Sequence, residues 1–285
     1  MQRRSVRETI DAVRRRAASA LGGRVELDAA RAELSAARAE LDRRTHEVRR
    51  LRRRVRELEV TLLDDLPDSV SSVAHAVRTE HLTLLGARPL AELAQAVLDV
   101  EAQGVGGLML ECGTARGGSA IVMAAAKSPE RLLSVHDVFG LIPPPTDEDG
   151  EDVHARYAKI TAGEARGRGG EEYYGYRGDL YTEVHDSFAR HGLPVETSGV
   201  RLVRGLFEDT VTGDEPVALA HLDGDWYAST RTCLERVAPR LVPGGRLVID
   251  DYFAWSGCRK AVDEYLAEHD GLTREMHSRL HLVRR

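Results

Sequence analysis

Apolar residues recur every seven positions near the start of the chain: Leu27, Leu34, Leu41, Val48, Val55 and Leu62. With these at the a positions of a heptad, d falls on Ala30, Ala37, Arg44, Leu51 and Leu58, a coiled-coil seam broken once at Arg44. Glu26, Glu33, Glu40 and Glu47 fall at g, and Arg31, Arg38, Thr45 and Arg52 at the following e. In a parallel pair each g meets the next e of the partner helix, so three of these four pairs join Glu to Arg, and Arg54 with Glu59 matches in the opposite sense. The pattern predicts a helical segment over residues 1–66 that self-associates as a parallel coiled coil, most simply a dimer. A long amphipathic helix folded back on the rest of the chain is the other reading of the same spacing. Gly22-Gly23 separates this helix from a shorter one at residues 5–20, and Leu66-Pro67-Asp68-Ser69 ends the coil.

Beyond residue 67 the pattern changes. A helical linker over 67–85 and an amphipathic helix around Ala91–Leu98 lead into short apolar runs alternating with helical stretches. The runs at Leu108–Leu110, Leu132–Val135, Val200–Arg204, Val217–Ala220 and Leu247–Ile249 read as strands of an α/β fold with a doubly wound sheet, built from residues 67–285. Two of these strands end in acids. His221-Leu222-Asp223-Gly224-Asp225 follows one and Asp250-Asp251 the other, 27 residues later. Carboxylates there face the crevice where open α/β sheets bind ligands, and an all-oxygen cluster suits a hard cation such as Mg²⁺.

A second constellation lies upstream. Gly107 to Ser119 reads as strand, glycine-rich turn and helix start, with Glu111 ahead of the turn and Gly113, Gly117 and Gly118 within it. The spacing is not Gly-x-Gly-x-x-Gly, so the dinucleotide fingerprint is absent. A carboxylate at this place suits a positively charged cofactor. Asp137, at the end of the next strand, stands where such folds put an acid on ribose hydroxyls. Together these residues predict a site for S-adenosylmethionine. The irregular insertion at 141–178, with Tyr173, Tyr174 and Tyr176, reads equally as a lid whose tyrosines stack on a sugar face and as a surface insertion with packing tyrosines.

Composition narrows the functional classes. Residues 1–66 hold 17 Arg and 12 acids, a balance of +5, and the remainder holds 23 basic and 34 acidic residues, a balance of −11. The arginine run at 49–54 lies inside the heptads, not before them, which argues against a basic-zipper arrangement and predicts no nucleic-acid partner. No apolar stretch reaches the roughly 18 residues of a membrane span, so no transmembrane segment is expected. Cys112, Cys233 and Cys258 are sparse and lack metal-site spacing, which fits a reducing, cytoplasmic setting.

From about Glu80 to the end the chain resembles the macrocin O-methyltransferase family, metal-dependent sugar methyltransferases of antibiotic pathways. The resemblance is carried by Glu111-Cys-Gly-Thr-Ala-Arg-Gly-Gly-Ser, Asp137-Val-Phe-Gly, Gly205-Leu-Phe-Glu-Asp-Thr, Asp223-Gly-Asp-Trp-Tyr-Ala-Ser-Thr and Pro243-Gly-Gly-Arg-Leu-Val-Ile-Asp-Asp-Tyr. It implies a class I, Rossmann-like methyltransferase fold and methyl transfer from S-adenosylmethionine to a hydroxyl of a sugar-bearing acceptor held on Mg²⁺. By resemblance Asp223, Asp250 and Asp251 are the metal ligands. Glu111, Gly113, Thr114, Arg116, Gly117, Gly118, Ser119 and Asp137 line the cofactor, with Leu206, Phe207 and Glu208 beside the adenine. Related enzymes often place a Lys after the first metal acid, where this chain has Trp226 and Tyr227. Asp223 is therefore the expected proton acceptor, with His221, His277 and His281 as weaker candidates. A catechol-type acceptor, or a methyltransferase-like assembly protein without turnover, are the competing readings.

Overall fold

The computed structural model describes Asp11 and residues 24–285; the helix expected at 5–20 lies, apart from Asp11, outside them. The chain divides into two compact units, residues 1–59 and 60–285. In the first, the heptad segment is helical throughout, as part of α1 (Arg24–Asp64), an unbroken 41-residue helix. Its surface carries i,i+3 and i,i+4 ion pairs, such as Glu40 with Arg43 and Arg44, each at 2.7 Å. Exposed pairs of this kind are worth only about 0.3–0.5 kcal/mol each.

The second unit begins within the last turns of α1, where Leu63 is fully buried. Pro67, which lacks an N–H to donate, stands at the N-cap of α2 (Asp68–Thr79). The expected linker helix thus stops at Thr79, and residues 80–86 run irregularly to α3 (Ala87–Ala102). The sheet follows with β1 (Leu108–Cys112), α4 (Gly118–Ala126), β2 (Leu133–Asp137), α5 (Glu151–Thr161), α6 (Leu180–Arg190), β3 (Val200–Arg204), α7 (Phe207–Thr210), β4 (Val217–Leu222), α8 (Tyr227–Val237), β5 (Leu241–Ile249), α9 (Ser256–Glu268), β6 (Leu272–Met276) and β7 (Leu280–Arg284).

The seven strands order as β3-β2-β1-β4-β5-β7-β6. β1 to β5 pair in parallel, and β7 runs antiparallel between β5 and β6. Strands β1, β2 and β4 are buried along their whole length, as parallel strands covered on both faces must be. One apolar cluster includes Val70, Val77, Leu90, Val97 and Ile121 from α2, α3 and α4. The other includes Cys233, Leu234, Cys258, Val262 and Tyr265 from α8 and α9. The chain leaves β1 toward β2 and β3, then crosses back to place β4 on the other side of β1. That reversal opens a crevice at the carboxyl ends of β1 and β4. No described helix is long and apolar enough to cross a membrane.

Candidate active site

The turn after β1 is built around backbone contact. Gly113 has φ +89°, and a Cβ there would collide with the carbonyl of Asp223 at the end of β4. Only glycine takes that conformation and permits that approach at little cost. The Asp223 N–H donates to the Cys112 carbonyl at 2.8 Å, so the glycine turn and the first acidic strand end are held together. Gly118 opens α4 against the backbone of Leu82, 2.7 Å from where its Cβ would lie. The second acidic end is tied in by the Asp250 N–H, which donates to Leu222 at 3.0 Å.

These elements enclose one cavity of about 580 Å³. Gly113, Thr114, Ser119, Asp137, Leu206, Phe207 and Glu208 line it, and so do Asp223, Asp225, Asp250 and Asp251. The sequence-predicted cofactor and metal residues therefore converge, with four exceptions in placement. Gly117 and Gly118 shape the turn without lining the cavity. Arg116 turns away, paired with Glu171 at 2.9 Å and Glu183 at 2.7 Å, and clamps the loop at 80–81 to the insertion and α6. Glu111 lies behind the wall, fully buried.

Glu111 receives His221 Nδ1 on Oε1 at 3.0 Å, while its Oε2 has no hydrogen-bond partner among the described residues. A buried carboxylate oxygen left open behind a glycine turn matches a cationic ligand group. Asp137 accepts the Thr114 N–H on Oδ2 at 2.8 Å and the Phe139 N–H on Oδ1 at 2.6 Å. Its carboxylate thus braces the turn as well as facing the cavity. Burial pushes Asp137 above the usual carboxylate range despite those donors.

The acids separate into two sets. Burial alone would raise Asp250, but His221 and Arg279 hold it below the ordinary carboxylate range. Arg279 Nε donates to Asp250 Oδ1 at 2.6 Å, and His221 Nε2 stands 3.6 Å from the same oxygen. His221 is raised to about 9 because these acid partners outweigh its burial. Asp223, Asp225 and Asp251 make no direct ion pair among the described residues, although Arg279 acts on Asp223 and Asp251 and Arg156 on Asp225 at longer range, and one oxygen of each lies within 4.8 Å of the others. Burial, then Asp250, Asp251 and Asp225, push Asp223 well above its usual range, and burial followed by Asp225 and Asp250 does the same to Asp251. Mutual repulsion of this kind is what a bound cation relieves.

Asp225 was not singled out by the sequence as a ligand, although it stands in the quoted Asp-Gly-Asp motif. Its backbone is left-handed, with φ +56°. It is held there by its N–H on Asp251 Oδ2 at 3.0 Å and by Trp255 Nε1 on its own Oδ1 at 2.9 Å. Ala115, which lines the cavity, and Phe139, between the lining residues Val138 and Gly140, are also at positive φ. Such conformations cost on the order of 1–3 kcal/mol each and cluster at functional sites.

The sequence profile of the macrocin O-methyltransferases matches residues 41–278. The chain belongs to that family. Among its relatives is the 8-demethyl-8-(2,3-dimethoxy-alpha-L-rhamnosyl)-tetracenomycin-C 4'-O-methyltransferase of Streptomyces olivaceus, 36% identical over 200 residues, covering 68% of each chain. The mycinamicin III 3''-O-methyltransferase of Micromonospora griseorubida is 34% identical over 196 residues, covering 66% of this chain and 71% of the relative. The solved O-methyltransferase NovP superposes with a TM-score of 0.59 at 28% identity, over 71% of this chain and 82% of that one. The protein is accordingly an O-methyltransferase with a class I methyltransferase fold.

In this O-methyltransferase the insertion at 141–178 has a small core of its own. Val153, Ile160, Ala165 and Tyr173 pack with Trp226. Tyr173 and Tyr174 line the cavity, with ring centroids 4.3 Å apart. Tyr176 instead donates to the Ile160 carbonyl at 2.5 Å and is structural. Asp149, which the sequence gave no reason to select, accepts the Tyr227 N–H at 2.8 Å and so caps α8 from the insertion. Of the other histidines, His277 and His281 pack against each other with tilted rings 4.3 Å apart and do not line the cavity.

Proposed function

We propose that this enzyme transfers the methyl group of S-adenosylmethionine to a sugar hydroxyl of a glycosylated acceptor, with Mg²⁺ held by Asp223, Asp225 and Asp251. The observation that carries the proposal is the convergence of those three carboxylates in one cavity with the Gly113–Ser119 turn. The open Oε2 of buried Glu111 suits the positively charged cofactor, and an all-carboxylate donor set suits a hard divalent ion. When bound, S-adenosylmethionine supplies an electrophilic methyl group. When bound, a divalent ion lowers the pKa of a neighbouring hydroxyl.

The remaining work falls to the chain's own groups. Tyr173, Tyr174, Trp226 and Trp255 offer aromatic faces to an acceptor ring. Trp255 Nε1 donates to Asp225 Oδ1 and holds that carboxylate in place. We assign the removal of the hydroxyl proton to Asp223, which lines the cavity beside Asp225 and Asp251. Fixing acceptor and donor in one closed cavity removes much of the entropic part of the barrier. A sugar-bearing acceptor is further supported by the Streptomyces olivaceus relative, named for a rhamnosyl-bearing substrate methylated at a 4' oxygen.

Calorimetric titration of Mg²⁺ separates the two sets of acids. Asp225→Asn is expected to weaken Mg²⁺ binding by about tenfold or more, as loss of a ligating or supporting carboxylate does. Asp250→Asn is expected to leave it nearly unchanged, because Asp250 already serves Arg279 and His221. The reverse ranking would place the ion on Asp250 and remove Asp225 from the site.

A further inference from the structure

Helix α1 carries an apolar seam that the described structure leaves uncovered. Leu41, Val48, Leu51 and Val55 stand 44, 45, 53 and 52% exposed. Four large aliphatic side chains in register on one stripe form a contiguous patch, whereas exposed apolar residues on soluble proteins are ordinarily scattered. The catalytic cavity is built wholly from residues 83–279, so the methyl-transfer reading gives this stripe no role.

The charges beside the seam point to what covers it. Glu40 is held on its own helix by Arg43 and Arg44. Glu33, Arg38, Glu47 and Arg52 make no ion pair with another described residue. Those four are among the residues that a parallel, in-register pair of helices would join, Glu33 to Arg38 and Glu47 to Arg52 across the seam, while Arg31 and Arg54, which such a pair would also use, rest on Asp28 at 3.6 Å and Glu57 at 3.5 Å of their own helix. Glu40 is the one whose opposite position is uncharged Thr45. An antiparallel pair instead sets g against g and e against e, opposing Glu to Glu and Arg to Arg. The single break in the seam, Arg44 at d, is compensated locally by Glu40 at 2.7 Å.

From these two independent features we infer that the occupant of the seam is the α1 helix of a second copy of this chain, parallel and in register. Both copies then leave the coil at the same end, into the unit that begins at Val60.

Disulfide trapping in the full-length enzyme tests this directly. The three native cysteines are all buried and do not compete. Ala37→Cys and Leu51→Cys place a thiol at two separate d positions, and Ala39→Cys places one on the outer f position. Under mild oxidation at low micromolar concentration, both d variants should form covalent dimers at least about tenfold faster than Ala39→Cys, since a disulfide needs the two Cβ atoms close and facing. An antiparallel pair permits self-coupling at no more than one of the two d positions. Coupling at neither, at one only, or without preference over Ala39→Cys overturns the inference. The first result is the one expected if α1 folds back on its own chain.

Discussion

At the scale of single residues, the site depends on groups whose protonation the fold controls. His136, one residue before Asp137, is buried in β2, and burial followed by Arg201 and Arg240 depresses it to about 4. A histidine lowered from about 6.5 stabilises the fold above its unfolded pKa, and the contribution is lost as pH falls from about 6.5 toward 4. The total at stake is about 3 kcal/mol. Chemical denaturation of His136→Gln at pH 7 and at pH 4.5 should therefore show a smaller loss of stability on acidification than the parent enzyme. Equal losses would mean that His136 keeps an ordinary pKa. Much of the residue-level chemistry was legible in the sequence because it sits at strand ends: Asp223, Asp250, Asp251 and Asp137 all reach the cavity from there. The division of labour among the acids was not legible. It depends on Arg279, which arrives from the far end of the chain beside β7, and on Trp255, which selects Asp225. Arg116 shows the converse: a turn residue adjacent to cofactor-site positions was drawn off by Glu171 and Glu183, both remote in sequence.

At the scale of elements, the insertion is stitched into the sheet domain. Asp149 accepts the Tyr227 N–H at the start of α8 while its other oxygen accepts the Thr146 N–H at 3.0 Å, so one side chain joins the insertion to the helix that follows Asp223–Asp225. Replacing a capping Asp by Ala costs about 0.5–2 kcal/mol. Asp149→Ala should lower the melting temperature correspondingly and raise the KM for acceptor more than that for cofactor. A variant with unchanged KM for acceptor would show that the insertion does not shape the acceptor side. Several helices and most strands followed from periodicity, since β1 and β4 are largely apolar runs, but α5 falls inside the stretch expected to be irregular. β6 was not anticipated: Leu-Thr-Arg-Glu-Met lies at the sheet edge, partly exposed, and carries too few apolar residues to signal a strand. Its pairing with β7 is a tertiary fact, fixed by the return of the chain after α9.

At the scale of the whole molecule, the strand order sets everything else. The reversal at β1 and β4 brings the Gly113 turn against Asp223, and the parallel neighbour β5 delivers Asp250 and Asp251 to the same end. The glycine turn and the acidic strand ends are thereby joined in one cavity of about 580 Å³, a size typical of small-molecule sites. The central claim is that this cavity methylates a sugar hydroxyl with the help of a divalent ion. The most direct measurement is transfer of isotopically labelled methyl from S-adenosylmethionine to a panel of rhamnosides and catechols, run with Mg²⁺, with excess chelator, and with Mg²⁺ restored. Label should appear on a sugar oxygen of a rhamnoside, vanish with chelator and return with Mg²⁺. Undiminished transfer in chelator, or label confined to the catechols, would contradict the account.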